Sequence, residues 1–238
     1  MTVNIKNARV LVIGASSGIG LATAHAFADA GAHITMASRG GDKLMRAAAE
    51  VGHDAQPRAL DTLDEGAIEQ FFEQELPFDH VAISASSTTS GPVRVLALDD
   101  AYASMNSKFW GAYRIARAAK ITAGGSLTFV SGFLSRRPSA ASVLQGAINA
   151  ALEGLARGLA LELAPVRVNA VCPGLIDTAL YSRMDAKKRE AMFDAAAAHL
   201  PARRVGQADD VAQAILFVAT NPFVTGSTIT VDGGGSIA

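Results

Sequence analysis

The densest chemical signal in the sequence is Gly14-Ala15-Ser16-Ser17-Gly18-Ile19-Gly20, which follows the apolar run Arg9–Ile13 and leads into a helical segment reaching Ala30. Glycines at such a junction let the backbone turn tightly and approach a ligand without a Cβ in the way. The first turn of the following helix offers unpaired N–H groups and a partial positive charge, a combination suited to a pyrophosphate. A glycine cluster alone is a weak signal. Placed between a buried strand and a helix, at the head of an alternating chain, it is much stronger, and the plainer alternative is a tight turn with no ligand.

Other chemistries are poorly represented. The single cysteine, Cys172, excludes a disulfide framework and a cysteine-based zinc cluster. The five histidines are scattered, none paired with another at metal-ligand spacing, so no metal is expected. With 21 Lys+Arg against 22 Asp+Glu the net charge is −1, leaving no basic excess to neutralise phosphates, so nucleic acid is not an expected partner. The N-terminal residues lack the layout of a signal peptide. Val211 to Val231 is an uncharged stretch of membrane-spanning length, but Gln213, Asn221-Pro222, Gly226 and four threonines break it into helix, turn and strand. The reading expects a soluble, cytoplasmic protein with a small-molecule substrate and no membrane partner.

The elements that must position the glycine turn are short apolar runs alternating with helices. Strands are expected at Arg9–Ile13, His33–Ala37, Arg58–Leu60, His80–Ser84, Leu127–Ser131, Arg167–Val171 and Thr228–Val231. Most are rich in Val and Ile with little alternation, as befits strands buried on both faces. Gly31 and Gly52 sit where helices close, Thr62 with Glu65 forms a capping-box pattern, and Asp42, Asp99 and Asp185 are N-cap candidates. With no repeat or linker, the 238 residues read as one α/β domain, a Rossmann-type doubly wound, mainly parallel seven-stranded sheet with helices on both faces.

The spacing Gly-x-x-x-Gly-x-Gly, together with four further motifs in order, resembles the short-chain dehydrogenase/reductase family from about Arg9 to Ile237. The resemblance implies that Gly14, Ser16, Ser17, Gly18, Ile19 and Gly20 hold the cofactor, that Asp61 meets adenine, and that Asn106 is the family's active-site helix asparagine. It also places Pro173, Gly174, Ile176 and Thr178 beside the nicotinamide, while Thr225-Gly226 and Val231-Asp232-Gly233-Gly234 match the C-terminal signature. The loop after the fourth strand reads Ile83-Ser84-Ala85-Ser86, altered from the family pattern, with Ser84 among the cofactor contacts. At the end of the second strand an acid would bond a ribose 2′-hydroxyl and repel a 2′-phosphate. Here Ser38 stands in its place and Arg39 follows, so the expected cofactor is NADP(H). The alternative for Arg39 is a solvated loop arginine.

Usual members of the family carry Asn, Ser and a Tyr-x-x-x-Lys pair. The tyrosine passes a proton, and the lysine binds ribose and lowers the tyrosine's pKa. Register taken from Ala150-Ala151-Leu152-Glu153-Gly154-Leu155 puts Gln145 at the tyrosine position and Asn149 at the lysine position. Gln145 has no titratable proton, and Asn149 can still bond the ribose hydroxyls of the cofactor but brings no positive charge. The serine falls on Gly132 without gaps and on Ser131 with a one-residue shift, and Ser135 is close. Tyr181 is either a displaced acid in the substrate loop, about 175–204, or a loop tyrosine packed on its own helix. Arg136 and Arg137 are either anion contacts or a solvated or oligomer-contact pair. His199 reads as a helix-end residue and Cys172 as a small strand-end residue. The reading is an NADP(H)-dependent oxidoreductase of a small molecule with an atypical active site, the alternative being a non-catalytic NADP(H)-binding sensor or regulator. The long helices around Asp100–Ala119 and Ser139–Ala164 carry Phe109, Trp110, Leu155 and Leu159 beyond what one sheet face needs. A homo-oligomer is therefore expected, a tetramer or a dimer.

Overall fold

The computed structural model of the chain describes residues 4–52, 54–182 and 184–238. The apolar runs become β1 (Arg9–Ile13), β2 (His33–Ser38), β3 (Gln56–Ala59), β4 (Phe78–Ile83), β5 (Ile121–Val130), β6 (Arg167–Pro173) and, after two short strands β7 (Ile176–Asp177) and β8 (Gly206–Gln207), β9 (Thr228–Val231). The sheet order is β3-β2-β1-β4-β5-β6-β9, and every neighbouring pair is parallel. Between the strands lie α1 (Gly18–Asp29), α2 (Asp42–Val51), α3 (Glu65–Gln74), α4 (Leu98–Met105), α5 (Gly111–Ala118), α6 (Val143–Glu162), α7 (Ala186–His199) and α8 (Ala208–Thr220). A π-helical turn, Asn106–Trp110, runs without a break from α4 into α5.

The near-continuous hydrophobicity of β1 has a direct cause. Val10 and Val12 point into one core with Phe27 of α1, Leu44 of α2 and Val211, Ile215 and Val218 of α8. Leu11 and Ile13 point into a second core with Ile68 and Phe72 of α3, Ile115 of α5 and Leu152 and Ala156 of α6. Successive side chains face opposite sides of a strand, so burial on both faces requires apolar residues at every position. The expected fold class is the observed one.

Several local expectations shift. β5 begins at Ile121, well before Leu127, because the extension through the exposed Ala123-Gly124 pairs out of register with β4 and carries no apolar signature. At α3 the cap is Asp64, whose carboxylate accepts from the Ala67 N–H, so the Thr62–Glu65 capping box does not form. Gly41 and Ala97 precede α2 and α4, placing Asp42 and Asp99 in first turns where their charge still favours the helix N-terminus. Asp185 does cap α7, accepting from the Lys188 N–H. The uncharged stretch divides into α8, a turn and β9, and no helix among the described residues is long and apolar enough to cross a membrane. The pair β7–β8, unforeseen from the sequence, ties Ile176–Asp177 to Gly206–Gln207 and so closes the base of the segment between them.

Candidate active site

Neighbouring strands β1 and β4 lead the chain to opposite halves of the sheet, and the crevice beyond their carboxyl ends is where such a fold binds ligands. The glycine turn sits there. Gly14 has φ +87°, and a Cβ on it would lie 2.6 Å from the Ala85 backbone nitrogen. At Gly20 a Cβ would lie 2.2 Å from the Gly14 carbonyl oxygen, so only glycine lets α1 start this close to β1. Ser17, in extended conformation, precedes α1 and makes no side-chain cap. The first N–H groups of the twelve-residue helix are thus open to an anion.

A cavity of about 670 Å³ runs along this crevice, within the range of small-molecule sites. Of the sequence-derived cofactor residues it brings together Gly14, Ser16, Ser17, Gly18, Ile19, Ser38, Arg39, Asp61, Ser84 and Thr178. Five do not line it. Gly20 is buried beneath the turn. Pro173 ends β6 and Gly174 follows it, where a Cβ would meet Asp232. Ile176 is buried in β7, and Asn149 is buried on α6. The sequence reading missed Lys43, which lines the cavity and donates from Nζ to Ser17 Oγ at 2.8 Å. Its signal was position: it lies in the first turn of the helix that follows Arg39. Open helix N–H groups, Arg39, Lys43 and several hydroxyls form a donor set that fits a phosphorylated dinucleotide.

A second group of polar side chains lies where α6 packs against the π turn and the end of β5. Lys108, in the π turn, donates from Nζ to the Ser131 carbonyl oxygen and to Asn149 Oδ1, both at 2.7 Å. Burial lowers its pKa to about 8, partly opposed by the Cys172 thiol nearby. Sequence reasoning passed over this lysine. It follows the polar pair Asn106-Ser107, and nothing in the local sequence marks it out.

Asn106 is turned elsewhere, its Oδ1 accepting from Arg114 at 2.6 Å. Ser131 is 3% exposed, and its hydroxyl donates inward, to Glu153 Oε1 at 3.2 Å or the Val171 carbonyl at 3.3 Å. Ser135 donates to the same Glu153 oxygen at 2.6 Å. A Cβ on Gly132 would lie 2.7 Å from Asn149 Nδ2, so no serine fits there without moving Asn149. Gln145 donates from Nε2 to the Thr89 carbonyl at 2.7 Å and to Ser90 Oγ at 3.0 Å, fastening α6 to the loop after β4. Tyr181 packs edge-on against Phe193 at 5.5 Å, with its pKa raised by burial, while its neighbours Ala179 and Leu180 line the cavity. Arg137 is tied to the Gly235 carbonyl, Arg136 lies 3.8 Å from Glu153, and His199 bonds the Ala195 carbonyl one helical turn back. Burial and the Glu153 charge raise the pKa of the Cys172 thiol.

The family model described as enoyl-(acyl carrier protein) reductase matches residues 14–236. A short-chain dehydrogenase/reductase of Acremonium sp is 31% identical over 252 residues, covering 96% of this chain and 95% of that one. Galactitol 2-dehydrogenase (L-tagatose-forming) of Cereibacter sphaeroides is 32% identical over 243 residues, covering 95% and 94%. The solved structure of a small-chain dehydrogenase in complex with NADPH matches with a TM-score of 0.86 at 36% identity, covering 98% of this chain and all of that one. The chain belongs to the short-chain dehydrogenase/reductase family, whose members are oxidoreductases that bind a nicotinamide cofactor.

Proposed function

We propose that the protein is an NADP(H)-dependent oxidoreductase of a small-molecule substrate, working without the family's Tyr-x-x-x-Lys pair. The observation that carries this reading is the cluster at the end of β2. Ser38 occupies the place of an acid, and Arg39 and Lys43 bring two cations to the same end of the cavity, suited to a 2′-phosphate. The solved relative that holds NADPH supports the same choice. When bound, the cofactor supplies or accepts a hydride. The chain's own residues bind the dinucleotide, orient it and line the space beside it.

Calorimetric titration with NADPH and NADH tests the cofactor. Binding of NADPH at least tenfold tighter is expected, and equal affinities would remove the basis of the proposal. NADPH oxidation against a panel of ketones and enones then tests catalysis. A second reading, a non-catalytic NADP(H)-binding sensor or regulator, is favoured by one observation. The Gln145 amide nitrogen is already committed to Thr89 and Ser90, so no proton donor stands at that position. Tight NADPH binding with no turnover on any panel member would select it.

A further inference from the structure

We propose that Lys108 is a cofactor-binding cation, acting with Asn149 as a pair of donors to the vicinal hydroxyls of the nicotinamide ribose. The inference rests on the NADP(H) reading and adds the residue that holds the second half of the dinucleotide.

Position comes first. The switch point between β1 and β4 divides the ligand, with its phosphates at the start of α1. Ser38, Arg39 and Asp61 claim the adenosine half, over β2 and β3. The other half must then extend over β4 and β5. Ser107 lines that part of the cavity, and its neighbour Lys108 reaches the Ser131 carbonyl just past the end of β5.

Chemistry comes second. An ammonium has three N–H donors, and two of those on Lys108 go to neutral acceptors, the Ser131 carbonyl and Asn149 Oδ1. No carboxylate among the described residues forms an ion pair with it. A buried cation held without a counter-charge is costly, and such groups cluster at functional sites. Its lowered pKa reports the same desolvation. Because Asn149 Oδ1 accepts from Lys108, the amide Nδ2 is left as a donor. It lies against Gly132, where a Cβ would come within 2.7 Å of it. One free ammonium N–H beside one amide N–H matches two adjacent hydroxyl oxygens. The family resemblance places an asparagine on the Asn106 helix and a lysine at 149. That asparagine, Asn106, is still present and accepts from Arg114, while at 149 an asparagine stands and the cation beside it comes from Lys108 on the Asn106 helix.

The test compares NADPH with 2′,5′-ADP, which carries the adenosine half alone, in wild type, Lys108→Gln and the double variant Lys108→Asn/Asn149→Lys. Lys108→Gln should weaken NADPH roughly tenfold to hundredfold, the scale of one charge-assisted hydrogen bond, and leave 2′,5′-ADP unchanged. The double variant returns the cation from the other helix and should recover NADPH affinity to within about threefold of wild type. Retained 2′,5′-ADP binding reports that a variant is folded, and if Lys108→Gln fails to fold, the double variant decides alone. An unaltered NADPH affinity in Lys108→Gln, an equal loss for both ligands in a folded variant, or no recovery in the double variant would overturn the role of Lys108. Wild type that binds neither ligand would overturn the NADP(H) reading instead.

Discussion

Lys43 Nζ donates to Ser17 Oγ over 2.8 Å, joining the first turn of α2 to the residue that precedes α1. Lys43, like Arg39 and Ser17, lines the cavity, so the contact brings a second cation to the glycine turn. Losing the Arg39–phosphate bond should weaken NADP(H) roughly tenfold to hundredfold. Arg39→Ala should therefore show that loss by calorimetry while NAD(H), which lacks the 2′-phosphate, changes by less than about threefold. Lys43→Ala should have the smaller effect, because its ammonium is exposed and shared with Ser17.

The close approach of Gly20 to the Gly14 carbonyl makes a second prediction. Gly20→Ala forces α1 away from the turn, at a cost of about 1–3 kcal/mol in stability, with weaker NADPH binding as well. Gly158 of α6 is the control, since a Cβ there meets nothing within 4 Å. Gly158→Ala should be neutral or stabilising by about 0.5–1 kcal/mol, as expected for removing a glycine from a helix interior. Paired thermal melts check both.

His80 gives the third. Its Nδ1 lies 2.8 Å from Ser126 Oγ, and burial, then the Arg167 charge, lowers its pKa from 6.5 to about 4, with Asp79 opposing. Between those values the unfolded chain takes up the proton and the folded chain does not. The stability is therefore complete above about pH 6.5 and falls as the pH drops towards 4. The full loss approaches about 3 kcal/mol. Urea titrations of wild type and His80→Gln at pH 7 and pH 4.5 should show a smaller acid loss in the variant. Equal losses would place the acid sensitivity elsewhere.

The fourth concerns assembly. Trp110 and Tyr113 are 46% and 42% exposed and pack against one another and Phe109 on the outer side of the π turn and α5. Leu159, by contrast, is 9% exposed and belongs to the core, so it has no part in a contact between copies. We expect light scattering at micromolar concentration to give a tetramer, with Trp110→Glu lowering the mass. A monomeric wild type would refute the expectation.

Strand positions and the phosphate turn were legible in the sequence because their causes are local. Burial on both faces writes Val and Ile into β1, and a backbone that must pass within a Cβ of another writes Gly20. Asp64 was missed because two acceptors, Thr62 and Asp64, compete within three residues, and only the chain path selects between them. The far end of the site was legible only in part. Gln145 and Asn149 were named from the register of α6, but the lysine from which Asn149 accepts lies about forty residues earlier, on another helix. A lysine in a helix ordinarily reads as a solvated side chain, and no local pattern says that Lys108 turns inward.

The π turn also sets a phase relationship along the α4–α5 rod. A wide turn amounts to one extra residue in an α-helix, so everything after it is rotated by about 100° relative to an uninterrupted helix. Lys108 sits inside the turn, whereas Ile115 of α5, beyond it, faces the core. Deleting a single residue from Asn106–Trp110 would therefore cancel the offset, and inward-facing side chains would have to exchange with outward-facing ones on one side of the turn. The contact of this lysine with Ser131 and Asn149 is in that sense a matter of helical counting, one residue away from being undone.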